Sequence, residues 1–217
     1  MEVSAPGLLV GATDWCSHPA DLDVVRVGGT KNPSVPTILD LRPDLVLANE
    51  EENRLVDLDA LRDGGIEVDV TYVRTVGQGL AELRRVLGRL GLAPDWLAEA
   101  ESVWSEPWTG PRRTALVPIW RRPWMAVGSD TFAGDLLARL GVDNVLGASP
   151  ERYPRFALDQ LPPVDLVVLP DEPYAFSATD GPEAFAAPSV LVSGRDLTWY
   201  GPSLVAARSA LTAQLLA

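Results

Sequence analysis

The chain of 217 residues has a single cysteine, Cys16, and a single histidine, His18. One cysteine excludes an internal disulfide. One histidine leaves general acid–base chemistry at neutral pH to carboxylates. Basic residues are outnumbered as well: 18 Lys and Arg stand against 30 Asp and Glu, a formal net charge of −12. Phosphate binding needs a basic face, so a nucleic-acid partner is excluded and anionic membrane surfaces are disfavoured. No segment approaches the roughly 20 apolar residues that span a bilayer. The opening MEVSAPGLLVGATDW lacks the basic region and apolar stretch of a signal peptide. As written the sequence reads as cytoplasmic; with a true start upstream it would be extracytoplasmic. Missing too are a Gly-x-Ser-x-Gly elbow, a His-Glu-x-x-His helix, a Walker loop and a dinucleotide fingerprint, and no catalytic residue is assigned.

What is present is globular. Hydrophobic residues make up 47% and charged residues 22%, which excludes disorder. Short continuous apolar runs recur: LLVGAT (8–13), DLVLAN (44–49), IEVDVTY (66–72), TALVPIW (114–120), DLVVLP (165–170) and SVLVSG (189–194). Such runs are the sign of parallel strands covered by helices on both faces. Helical patterns lie between them at 33–41, 56–63, 129–140 and 202–216. Ser129 with Asp130 reads as a helix start, and Gly141 and Gly64-Gly65 read as helix stops. From 79 to 106 the alternation breaks into two helix-patterned stretches interrupted by Pro94. The expectation is an α/β fold of two Rossmann-like lobes with parallel sheets and a ligand cleft between them. The first lobe covers 1–77, a helical connector 78–110 and the second lobe 111–217. An internal echo supports this, ILDLRPDLVLANE against ALDQLPPVDLVVLPDE, each a helix end, a proline, a buried strand and an acidic loop.

Ligands of open parallel sheets sit beyond the carboxyl ends of the strands. Four of the seven tryptophans fall there: Trp15, Trp120, Trp124 and Trp199, the last followed by Tyr200. They suggest a cleft lined for a large, flat or apolar ligand. Trp96, Trp104 and Trp108 lie in or beside the connector as packing residues. Arg121 and Arg122, between two tryptophans in WRRPW, suit a ligand carboxylate or phosphate. VGGTKN (27–32) reads as a turn where backbone approaches ligand. Cys16 and His18 stand two apart in a loop, too few for a protein zinc site and without an identifiable third group to orient a catalytic pair; metal or cofactor contact, catalysis and a plain structural role all stay open, the structural role foremost.

The blocks LVGATDWCSHP, VGGTKNPSVPTILDLRPDLVLANEEEN, IWRRPWMAVGSDTFAGDLLARLGVDNVLG, RYP, DLVVLPDEPY and LTWYG follow one another in an order that resembles the helical-backbone metal receptor superfamily. These are the substrate-binding proteins of ABC importers for cobalamin, haem and iron–siderophores. The resemblance implies two α/β lobes joined by a helix, and a bulky metal chelate, cobalamin-like first and ferric siderophore or haem second, as transported ligand. No cofactor is then required. Trp15 and Thr30 match loops lining the first-lobe side of the cleft, and Trp120, Tyr153 and Trp199 match second-lobe positions where an aromatic faces the ligand. His18 and Cys16 enter as candidate axial ligands to the chelated metal. Asp159 matches an acidic residue that, with a first-lobe glutamate from Glu50, Glu51 or Glu52, docks onto permease arginines. The family begins with a strand and helix ahead of the segment that LLVGAT matches, so the resemblance implies an N-terminally shortened relative. Two other readings remain: a cytoplasmic enzyme or chaperone for a corrinoid cofactor that uses Cys16 and His18, and a lobe pair kept for protein–protein contact through its acidic rims.

Overall fold

The computed structural model describes residues 4–216. Its contacts divide the chain into two compact units, one holding the chain up to Tyr72 with Gly88–Leu92, the other holding Val73–Leu87 and everything from Ala93 on.

In the first unit β1 (Gly11–Ala12) pairs in parallel with β2 (Val25–Arg26). Helix α1 (Val35–Leu41) starts where Ser34 caps it, its hydroxyl accepting from the Thr37 amide, with Pro36 in the first turn where no N–H is needed. Then come β3 (Val46–Asn49), α2 (Leu55–Asp63) and β4 (Val68–Thr71), with β3 and β4 parallel in register Val46↔Val68. Val27, Ile38, Leu61 and Ile66 form the core of this unit, with Val46 and Val68 packed against it. Gly65, at φ 83, turns the chain from α2 into β4 in the left-handed conformation that glycine adopts without strain. Two expectations are corrected here. The run LLVGAT is strand only over its last residues, and β3 is not buried on both faces: Leu47 keeps 39% of its surface exposed. On that face only its register partner Asp69 is covered, paired with Arg89 from the end of the helix that follows β4.

Helix α3 (Val76–Arg89) gives its first turns to the second unit and its end to the first, where Arg89 pairs with Glu67 and with Asp69 at 3.1 Å. Gly91, at φ 72, turns the chain after α3, and Pro94 opens α4 (Asp95–Ser105) as its N-cap. The second unit continues with β5 (Arg113–Leu116), β6 (Pro118–Trp120), β7 (Met125–Ala126), α5 (Phe132–Ala138), β8 (Val142–Asn144), β9 (Leu166–Pro170), β10 (Ser189–Val192), α6 (Gly194–Thr198) and α7 (Leu204–Leu216). A four-stranded parallel sheet in the order β10-β9-β5-β8 forms its centre. All five residues of β9 are buried, as the apolar run predicts. Helices α4 and α7 are joined by Trp104, 2% exposed, whose indole N–H donates to the Leu204 carbonyl at 2.9 Å.

TALVPIW, expected as one strand, is two. Leu116 ends the run paired in the main sheet, and after Val117, Pro118, which has no N–H to donate, begins β6 in a separate antiparallel hairpin with β7. The expected helix start at Ser129 and Asp130 also moves. Asp130 lies in the left-handed region at φ 50, and Thr131 is the cap, accepting from the Gly134 amide at 3.2 Å. Past α5, Gly141 at φ 76 ends the turn as expected.

Candidate functional site

On the first unit the loop after β1 carries Trp15, Cys16 and His18. Arg26 of β2 clamps it, donating to the carbonyls of Thr13 at 3.0 Å and Cys16 at 2.9 Å. Trp15 is 69% exposed, and its indole N lies 3.4 Å from where a side-chain carbon on Gly29 would stand. The VGGTKN turn therefore lies beside the indole. Thr30 donates from its hydroxyl to Glu52 at 3.2 Å, Lys31 stands 3.8 Å from the same carboxylate, and Asn53 donates to the Thr30 carbonyl at 2.9 Å. Trp15, Thr30 and the acidic loop after β3 therefore share one rim of this unit. Glu50 is exposed, while Glu51 and Glu52 are half-buried. Cys16 and His18 have separate partners: the thiol lies 3.3 Å from the Thr13 hydroxyl, and the imidazole Nδ1 3.0 Å from the Ser17 hydroxyl. Among the described residues no three His, Cys, Asp or Glu side chains gather as a metal site.

On the second unit the β6–β7 hairpin carries WRRPW. Its two tryptophans part company. Trp124 sits in an aromatic cluster, stacked on Phe176 with centroids 6.1 Å apart, edge-on to Phe185 at 5.2 Å and beside Phe156 at 5.8 Å. Trp120 is 42% exposed and meets Tyr174 edge-to-face at 5.7 Å. The arginines part in the same way. Arg121 turns inward over the Trp124 ring, 5.2 Å from its centroid, and pairs with Asp180 and, at 2.6 Å, with Glu183. Asp180 also accepts from the Tyr174 hydroxyl at 2.6 Å. That bond, with the charges of Arg121 and Arg122, holds the Asp180 carboxyl below its usual range; the same bond raises the Tyr174 phenol above its own, against the opposing pull of the two arginines. Glu183 is lowered chiefly by the Gly181 amide it accepts from. Arg122 is exposed at φ 74, with no hydrogen bond or ion pair from its side chain among the described residues.

The remaining expected residues are spread over this unit. Tyr153 is half-buried with the Arg152 guanidinium 5.7 Å from its centroid. Trp199 caps the end of α6, and Tyr200 packs on Phe132 at 5.5 Å. Asp159 stands exposed in a short 3-10 turn, Leu158–Gln160. A separate cavity of about 350 Å³ is lined by Arg74, Thr75, Ser129, Asp130, Thr131 and Asn144. It contains none of the ligand or docking residues expected from the sequence. Sequence reasoning also missed Tyr174, Asp180 and Glu183, which build the hairpin's support. Tyr174 closes the DEPY block, but Asp180 and Glu183 lie in an unpatterned stretch with no periodicity to mark them.

No protein-family model matches the chain, and no curated protein matches it. Among solved structures it is similar to the periplasmic haem-binding protein BhuT in complex with two haems, at 23% identity and a TM-score of 0.76, over 95% of this chain and 88% of that one. It is similar to the periplasmic vitamin B12 binding protein BtuF of Vibrio cholerae at 14% identity and 0.74, over 98% and 90%. It is also similar to a periplasmic haem-binding protein from Pseudomonas aeruginosa at 21% and 0.74, over 98% and 87%. At these identities the likeness is one of architecture: the α/β fold expected from the alternating runs is the fold of periplasmic binding proteins for haem and vitamin B12.

Proposed function

We propose that the chain binds a bulky metal chelate without transforming it, as the substrate-binding component of an ABC importer or a relative of one. The chelate is cobalamin-like, a ferric siderophore or haem. The observation that carries this reading is the exposed indole of Trp120 at the end of β6, braced by Tyr174 and set on a fold shared with haem and vitamin B12 binding proteins. An aromatic face held open to solvent by a polar network beneath it is a stacking surface for a large ring. Trp15, beyond β1, offers a second exposed indole beside Thr30. Arg122 is available to acidic groups of the ligand. Trp124 and Arg121 serve the same face from below, as its packing and its ionic brace. Glu50 and Asp159, both exposed, remain candidate docking points for a basic permease surface, one on each unit, and such docking would be salt-dependent. A receptor of this kind works outside the cytoplasmic membrane, where its ligand arrives.

Absorbance titration with cobalamins, haemin and ferric chelates tests the reading. A spectral shift with tryptophan quenching is expected from at least one of them. No shift and no quenching from any would remove the chelate as ligand.

A further inference from the structure

The hairpin that carries WRRPW has two faces of different character. Trp120 pairs with Met125 across the hairpin, and Met125 pairs in turn, antiparallel, with Arg155. Residues directly opposite in an antiparallel ladder project from the same face. Trp120, Met125 and Arg155 therefore share one face, while Trp124 and Phe156, their neighbours in sequence, pack together on the other. On the first face Trp120 and Arg155 are exposed and Met125 is half-exposed. Arg122 stands exposed in the turn between the strands.

The charges of this face are distributed unevenly. Arg121 is engaged by two carboxylates, Asp180 and Glu183. The charge of Arg122 reaches Asp180 and Tyr174, but the side chains of Arg122 and Arg155 make no hydrogen bond or ion pair among the described residues. In a chain of net charge −12 an acidic ligand is repelled by the molecule as a whole, so its capture requires local positive charge at the point of contact. Two guanidinium groups beside an exposed indole and a thioether provide it: a flat apolar floor with planar, bidentate donors for carboxylates near it.

We infer, on the chelate-binding reading above, that this face takes a planar chelate bearing carboxylate groups. The ring system lies on Trp120 and Met125, and the carboxylates meet Arg122 and Arg155. The ligand class narrows from corrinoid, siderophore and haem to an anionic, carboxylate-bearing macrocycle.

The probes are haemin, with two carboxylates, its dimethyl ester, with none, cyanocobalamin, and one ferric siderophore, each titrated against the full chain at low and high salt. Haemin is expected to bind at least tenfold more tightly than the ester. The double variant Arg122→Gln/Arg155→Gln should close most of that gap by weakening haemin alone, and high salt should do the same. Arg62→Ala, which removes an exposed charge on α2, should leave the gap as it is. Circular dichroism checks that each variant is folded, and the haemin–ester gap in the unaltered chain needs no variant at all. Equal affinity for haemin and ester, a gap that survives the double variant, or binding of cyanocobalamin or the siderophore alone would overturn the inference and leave the chelate reading standing. Binding of none of the four would overturn the reading and the inference together.

Discussion

Strands β3 and β9 are written almost alike, DLVLANE and DLVVLPDE, and both run into acidic loops. Their surroundings differ. Strand β9 lies between β10 and β5 in a four-stranded sheet, and Leu169 within it has no exposed surface. Strand β3 has β4 alone beside it among the described strands, and Leu47 is 39% exposed. A continuous apolar run thus identifies a strand but not how it is covered; coverage depends on how many neighbours the rest of the chain can supply. Exposed apolar side chains gather around β1 and β2 of the first unit, with Leu8 at 59%, Val10 at 48% and Val25 at 45%, while the second encloses its central strand β9 and leaves Leu191 on edge strand β10 41% exposed.

The largest expected effect separates the two strands by burial. Leu169→Ala removes a side chain with no exposed surface and should cost about 2–5 kcal/mol in urea unfolding monitored by circular dichroism. Leu47→Ala should cost under about 1 kcal/mol, because much of the side chain already meets water. Equal losses would mean that Leu47 is covered in solution, and the contrast between the units would fail.

The acidic loops sharpen the comparison at smaller scale. Asp171, which follows β9, accepts from the buried Gly194 amide at 2.7 Å and so completes the start of α6. The side chain of Glu172 packs against the same glycine, where an added carbon would stand 2.5 Å from its Cγ. Loss of a charge-assisted bond to a buried amide makes Asp171→Ala worth about 1.5–3 kcal/mol. Glu50→Gln on the first unit's rim should fall within about 0.5 kcal/mol. The same unfolding assay reads both. The carboxylates after β9 are thus partly structural, whereas Glu50 stands on the exposed rim of the first unit.

This contrast also explains what the sequence made legible. Continuous runs located the strands of both units because buried parallel strands need no polar residues. Proline and glycine marked the breaks well, at Pro94, Gly65 and Gly141. Aromatics after strand ends placed Trp15 and Trp120 on exposed rims. The two halves of WRRPW could not be told apart, since nothing in a five-residue turn says which tryptophan is covered. That depends on Phe156, Phe176 and Phe185, which arrive from more than 30 residues downstream. The same holds for Arg121 against Arg122: Asp180 and Glu183 decide the matter, and they belong to a loop without pattern. Pro118 was readable as a strand breaker, but its place in an apolar run concealed the switch from the parallel sheet to a hairpin.

The smallest expected effect concerns pH and is confined to the second unit. Asp180 and Glu183 are held below their usual range in the folded chain, so their ionised forms favour the fold. That contribution is present above the ordinary carboxylate value of about 4 and is lost as pH falls through the depressed folded values. Tyr174 is raised chiefly by its bond to Asp180, so its contribution is complete below about 10 and is lost as pH rises through the raised folded value. Between these limits the brace under Trp120 should be intact, and tryptophan fluorescence should stay flat. It should change at both ends, before the global loss of circular dichroism. Asp180→Asn removes the carboxylate that joins Tyr174 to Arg121 and should abolish the early alkaline change while weakening the acid one, because Glu183 still holds Arg121. An unaltered alkaline profile in that variant would show that the fluorescence reports something other than this network, and the exposed indole would need another explanation for being held where it is.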